Sequence, residues 1–67
     1  MNTFAAHVDD EFSAAHAQYH IERKNGRSIN ILPGTDKTPN RVLFSGDDSV
    51  REQVATLHCV TKVVRHR

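Results

Sequence analysis

The chain has 67 residues, 37% of them hydrophobic, which predicts one small domain over residues 1–67 with a thin core. Nine Lys and Arg residues against eight Asp and Glu residues leave it nearly neutral, which excludes a strong overall attraction to nucleic acid or anionic lipid. The single cysteine, Cys59, argues against a disulfide-stapled secreted domain, and no apolar run suits a signal peptide or a membrane span. We therefore expect a cytoplasmic domain.

The amino-terminal part of the chain admits two interpretations. Apolar residues recur at helical spacing, at Phe4, Val8, Phe12, Ala15 and Tyr19. This pattern predicts a helix over at least residues 10–17, capped by Asp9, or by Asn2 or Thr3 if it begins earlier. A strand over residues 3–8 is the alternative.

Residues 19–32 carry the clearest local pattern, two alternating runs on either side of an Asn-Gly pair, which predicts a β-hairpin. A two-residue loop would mix polar and apolar side chains on each face of the hairpin. A three-residue loop over residues 24–26 instead gives one apolar face, and we expect that register. The predicted apolar face consists of Tyr19, Ile21, Ile29 and Ile31.

The second half follows a turn-rich stretch at residues 33–40. The short apolar run at residues 41–45, which ends before Gly46, predicts a short strand. Ser49 and Glu52 then have the spacing of a capping box, which predicts a helix over residues 49–58.

Residues 60–65 are mostly β-branched and predict a final strand, although a continuous helix to the terminus is the alternative because no Gly or Pro intervenes. The two strands around the second helix should run parallel if they share a sheet. The predicted fold is thus α+β. It has one small sheet of three to four strands, made of a hairpin and a strand–helix–strand unit, with the N-terminal helix packed on one face.

Candidate chemistry is sparse in this sequence. His16 and His20 have a spacing that suits a metal only on one helix, while the neighbours His58 and Cys59 diverge. The Cys-x-x-Cys pair of structural zinc sites is missing, so we predict no metal site and no cofactor. No local motif joins a nucleophile to a base, and the acidic residues 9–11 suit a helix start, so we predict no catalytic residue and no enzyme activity.

Basic residues cluster at the predicted hairpin tip and at the carboxyl terminus. If the two clusters lie close together, they form one positive surface suited to phosphates or to an acidic protein patch. The alternative is that charged tips only prevent edge-to-edge aggregation. The predicted partner-binding residues are Arg23, Lys24, Asn25, Arg27, Lys62, Arg65 and Arg67.

These features predict a small non-enzymatic protein-binding module that acts on a larger protein or complex. Inhibitors of phages and other mobile elements, such as anti-CRISPR proteins, have this size and class, which is an analogy of size alone. A nucleic-acid or nucleoprotein binder using the basic hairpin tip and carboxyl terminus is the alternative. An exposed sheet edge also allows a homodimer.

Overall fold

The structure, a computed structural model, describes residues 2–66. Its elements in chain order are β1 (Asn2–Val8), α1 (Glu11–Arg23), β2 (Arg27–Leu32), β3 (Asn40–Gly46), α2 (Asp48–Ala55) and β4 (Val60–Arg65). The four strands form one antiparallel sheet in the order β2-β3-β1-β4, and both helices pack on one face of it. This agrees with the predicted small α+β fold. The topology is the split βαβ, or ferredoxin-like, arrangement.

β1 lies inside the sheet, between β3 and β4. Phe4, Ala6 and Val8 face the helices and are buried. Ala5 points to the opposite face, yet it is only 3% exposed because Leu43 and a valine of β4 flank it on the paired strands. The strand over residues 3–8, which was the alternative interpretation, is therefore the element that forms. Its sequence shows little alternation because a strand inside the sheet is buried on both faces.

α1 begins after Asp10, whose carboxylate accepts a hydrogen bond from the backbone N–H of Ser13 at 2.7 Å. The helix covers nearly all of the predicted range of residues 10–17 and continues beyond it. The predicted apolar stripe is wrong, because Phe12 is 88% exposed and Tyr19 is 54% exposed. The face that α1 buries consists of Ala14, Ala17 and Ile21.

The predicted β-hairpin over residues 19–32 is wrong. Asn25 has a φ of 65°, and the N–H of Gly26 donates to the carbonyl oxygen of Ile21 at 3.0 Å, which closes α1 with a Schellman motif. An Asn-Gly pair provides a left-handed residue for a helix end as readily as for a hairpin turn. Ile21 therefore enters the core from a helix and does not pair with Ile29.

The hairpin that does form joins β2 to β3 through residues 33–39. A bulge in β2 at Ile29 leaves that side chain 54% exposed, while Ile31 packs against the core. Thr35 closes the connection, because its backbone N–H donates to the carbonyl oxygen of Thr38 at 2.8 Å. The bulge interrupts an edge strand, where it hinders pairing with another chain.

The second half agrees with the predicted strand–helix–strand unit. β3 and β4 are parallel to each other, since each is antiparallel to β1, and residues 60–65 form β4 instead of a longer helix. α2 ends at Ala55, earlier than predicted. The predicted capping box is wrong: Asp47 caps the helix, because its carboxylate accepts from the N–H of Val50 at 2.9 Å.

Replacing Asn25 tests the end of α1. Asn25→Ala should lower the free energy of unfolding by about 1 kcal/mol, because alanine lacks the short polar side chain that lets asparagine tolerate the left-handed region. Asn25→Gly should leave stability unchanged or raise it, since glycine adopts that region freely. Urea denaturation of both variants measures the difference, and equal stabilities would contradict the Schellman motif.

Candidate binding face on the sheet

The helices cover one face of the sheet and leave the other uncovered. Across the uncovered side, Arg41 of β3, His7 of β1 and Lys62 of β4 are paired positions, termed here the basic row. Beside them Leu43, Ala5 and Val64 are paired positions on the same strands, termed the apolar row. The two rows together are termed the open face.

A bulge in β4 brings its residues to this side. The pairing of β4 with β1 skips Thr61, whose hydroxyl donates to the carbonyl oxygen of His7 at 3.1 Å. Because of this extra residue, Val60 and Val63 both reach the helix-covered core, whereas Lys62 turns to the open face.

All the carboxylates of the chain lie outside the strands, in helices and connections. The eight are Asp9, Asp10, Glu11, Glu22, Asp36, Asp47, Asp48 and Glu52. The strands carry the cations Arg27, Arg41, Lys62 and Arg65. A nearly neutral protein therefore has a sheet that, in the part of the chain that the structure describes, is positive and free of acidic residues.

The basic row concentrates this charge. Paired residues on one face have Cβ atoms about 5 Å apart, so Arg41 and Lys62 flank His7 closely. The Nε of Arg41 is buried without a hydrogen-bond partner among residues 2–66. Burial lowers the pKa of His7, and the positive charges of Lys62 and Arg41 lower it further. At neutral pH the row thus contains two cations around a mainly uncharged imidazole.

The predicted binding residues do not form one surface. Lys62 belongs to the open face, but Arg65 lies on the helix-covered side of β4 and donates to the side-chain oxygen of Asn2 at 2.9 Å. The α1–β2 turn and the end of β4 lie at the same end of the sheet, yet at opposite edges, about 14 Å apart. Arg67 lies outside the described residues.

The other predicted residues surround the α1–β2 turn. Arg23 donates to the hydroxyl of Tyr19 at 2.7 Å on α1, so it belongs to a helix and not to the predicted hairpin tip. A cavity of about 610 Å³ opens beside the turn, and Asp47 and Asp48 line part of it. The predicted residues that line the same cavity are Lys24, Asn25 and Arg27. Its mixed charge makes it less suited to an anion than the open face.

Sequence reasoning missed two members of the basic row, Arg41 and His7. The signal for His7 was present: on a strand over residues 3–8 it alternates with the apolar residues that face the core. Arg41 likewise precedes the alternating buried residues of β3. The helical interpretation of the amino terminus concealed β1, the strand that carries His7 and that joins Arg41 of β3 to Lys62 of β4.

The remaining candidate chemistry is limited. His16 and His20 lie on one helix with their Nε2 atoms 3.0 Å apart, and desolvation together with the charges of His16, Lys24 and Arg23 lowers the pKa of His20. Structural zinc sites need four ligands, and among residues 2–66 no three His, Cys, Asp or Glu side chains converge. Cys59 is a half-buried free thiol whose pKa burial raises, which opposes thiolate chemistry.

Comparison with protein-family models, with curated proteins and with solved structures finds no match for this chain. Within residues 2–66, neither helix has the length and apolar character needed to cross a membrane. Function is therefore inferred from the open face and its charge.

The effect of the basic row on the pKa of His7 can be tested by NMR. Lys62→Gln should raise the pKa of His7, because it removes one of the two charges that oppose protonation. Lys24→Gln, which removes a cation near the opposite end of the sheet, should leave that pKa unchanged. Titration of the His7 ring protons measures both variants. An unchanged pKa in Lys62→Gln would contradict the geometry of the row.

Proposed function

We propose that this protein is a non-enzymatic binding module that covers an acidic surface of a larger protein in the cytoplasm. The observation that carries the proposal is the open face: an acid-free basic row directly beside an apolar row, on a sheet surface that no helix covers. An apolar strip with charge at its side is typical of a protein interface. Inhibition or regulation of the partner would follow from covering its surface.

The apolar row supplies the contact area. Leu43 and Val64 are half-buried on either side of Ala5, and they cover it almost completely. Leu43 and Val64 therefore present the exposed part of the apolar row, and Ala5 lies beneath them. Aliphatic side chains of a partner would be desolvated against the apolar row, which is the main source of affinity in such contacts.

The basic row selects the charge of the partner. Arg41 and Lys62 repel each other's charge and that of a protonated His7, and the sheet contributes no carboxylate to offset them. A partner with Asp or Glu residues beside an aliphatic patch would supply the missing charge. Complementary charge of this kind affects partner choice and association rate more than affinity.

The positions of the aromatic residues favour a protein partner over nucleic acid. Phe4 and Phe44 lie in the core, and Phe12 and Tyr19 lie on α1, so the open face presents no Phe or Tyr ring on which bases stack. A nucleic acid would contact only the cations and would leave the apolar row exposed. Two copies of the open face placed against each other would bring the cations of one copy close to those of the other, which disfavours a homodimer through this face.

Peptide selection tests the proposal. From a phage-displayed library of random peptides, the protein should enrich sequences that combine acidic and aliphatic residues. Lys62→Gln should weaken the binding of a selected synthetic peptide about fivefold, which corresponds to the loss of roughly 1 kcal/mol from one partly exposed ion pair. Leu43→Ala should weaken it at least as much, because it removes apolar contact. Isothermal titration calorimetry measures each affinity.

Lys24→Gln is the matched control, because it removes the same charge away from the open face and should leave the affinity unchanged. Enrichment of basic peptides, or loss of binding in Lys24→Gln instead of Lys62→Gln, would overturn the proposal. Tighter binding of a single-stranded RNA or DNA oligonucleotide than of any selected peptide, with a loss in Lys62→Gln, would replace it with a nucleic-acid function.

A further inference from the structure

α1 has a second face that nothing in the described chain covers. Phe12 is 88% exposed, and Tyr19, two turns further along, is 54% exposed. Ala15 and His16 lie between them on the side of α1 opposite the core. These four residues, termed the outer stripe, have the i, i+3, i+4, i+7 spacing of a helix-packing seam.

One member of the outer stripe, Tyr19, is held in place by neighbouring residues of α1. The hydroxyl of Tyr19 accepts a hydrogen bond from Arg23 at 2.7 Å, and the guanidinium lies 5.5 Å from the centre of its ring. His20 also contacts the Tyr19 ring edge-on, at 5.5 Å between centroids. A side chain held in place before binding loses less entropy when it enters an interface.

We propose that the outer stripe binds a second copy of this chain, with the two α1 helices antiparallel about a two-fold axis between Ala15 and His16. Phe12 of each copy then lies against Tyr19 of the other, since the two are equally distant from that axis. Ala15 and His16 both lie at the crossing, where the small Ala15 of each copy faces the imidazole of His16 of the other. A two-fold interface requires a surface complementary to itself, and this stripe has that property.

Charge selects both the partner and its orientation. The amino-terminal end of α1 carries Asp9, Asp10 and Glu11, whereas at the carboxyl-terminal end Arg23 and Lys24 outnumber the single carboxylate of Glu22. Antiparallel helices place the acidic end of one copy beside the basic end of the other. Their macrodipoles then also attract each other, because they point in opposite directions. A parallel arrangement would bring like charges together at both ends.

The size of the contact predicts its strength. A helix of 13 residues is about 20 Å long, so the pair would bury less than the ~800 Å² per partner of a standard interface. The dimer should therefore be weak, with a dissociation constant on the order of 10–100 µM. The open faces would point outward on both sides and stay free. The dimer thus adds to the proposed function and does not depend on it.

Sedimentation equilibrium of the full chain at low salt tests the dimer, over concentrations from about 10 µM to about 1 mM. The wild type should change from monomer to dimer across this range. Phe12→Ala should weaken association at least tenfold while circular dichroism shows an unchanged fold, since Phe12 supports no core contact. Ile29→Ala, which trims an exposed aliphatic residue on β2, is the matched control and should dimerise like the wild type.

A charge exchange tests the orientation. Glu11→Lys and Arg23→Glu should each weaken self-association, because each places like charges opposite one another. An equimolar mixture of the two variants should form heterodimers in preference to either homodimer, since the exchange restores opposite charges at the contact. A wild type that stays monomeric at about 1 mM, association that survives Phe12→Ala, or a mixture without preferred heterodimers would overturn the proposal.

Discussion

The open face of this protein depends on the pairing of β1 with β3 along one edge and with β4 along the other. This pairing brings the first strand of the chain beside the last and places Ala5 and Ala6 in the middle of the sheet, where both are almost fully buried. Small side chains at these positions let the helices approach one face and keep the other face flat. Without β1 in this place, the cations of β3 and β4 would have nothing to join them into one row.

The same arrangement separates the charges of a nearly neutral chain. Carboxylates cap α1 and α2 through Asp10 and Asp47, where helix N-termini favour negative charge, and the strands are left with the cations. A basic row on a thin sheet opposes folding slightly, because the charges of Arg41 and Lys62 repel each other across His7. An acidic partner would relieve that repulsion, which gives binding an energetic reason beyond the apolar contact.

The sequence predicts some elements well and others badly, for identifiable physical reasons. The β-branched run at residues 60–65 allowed β4 to be recognised, but Asn25-Gly26 satisfies a helix C-terminus as well as a hairpin turn, and so suggested the wrong element. β1 was ambiguous because a central strand with two adjacent alanines has neither clear alternation nor strong β propensity. Of the binding face, only Lys62 was predicted, since the open face exists only once β1 is placed.

The most direct test of the account is the set of cross-strand nuclear Overhauser effects in the isotope-labelled protein. We predict backbone contacts from Ala5 to both Leu43 and Val64, together with helical sequential contacts through Ile21. Backbone contacts between Ile21 and Ile29, with none from Ala5 to Leu43 or Val64, would contradict the fold and remove both proposed surfaces.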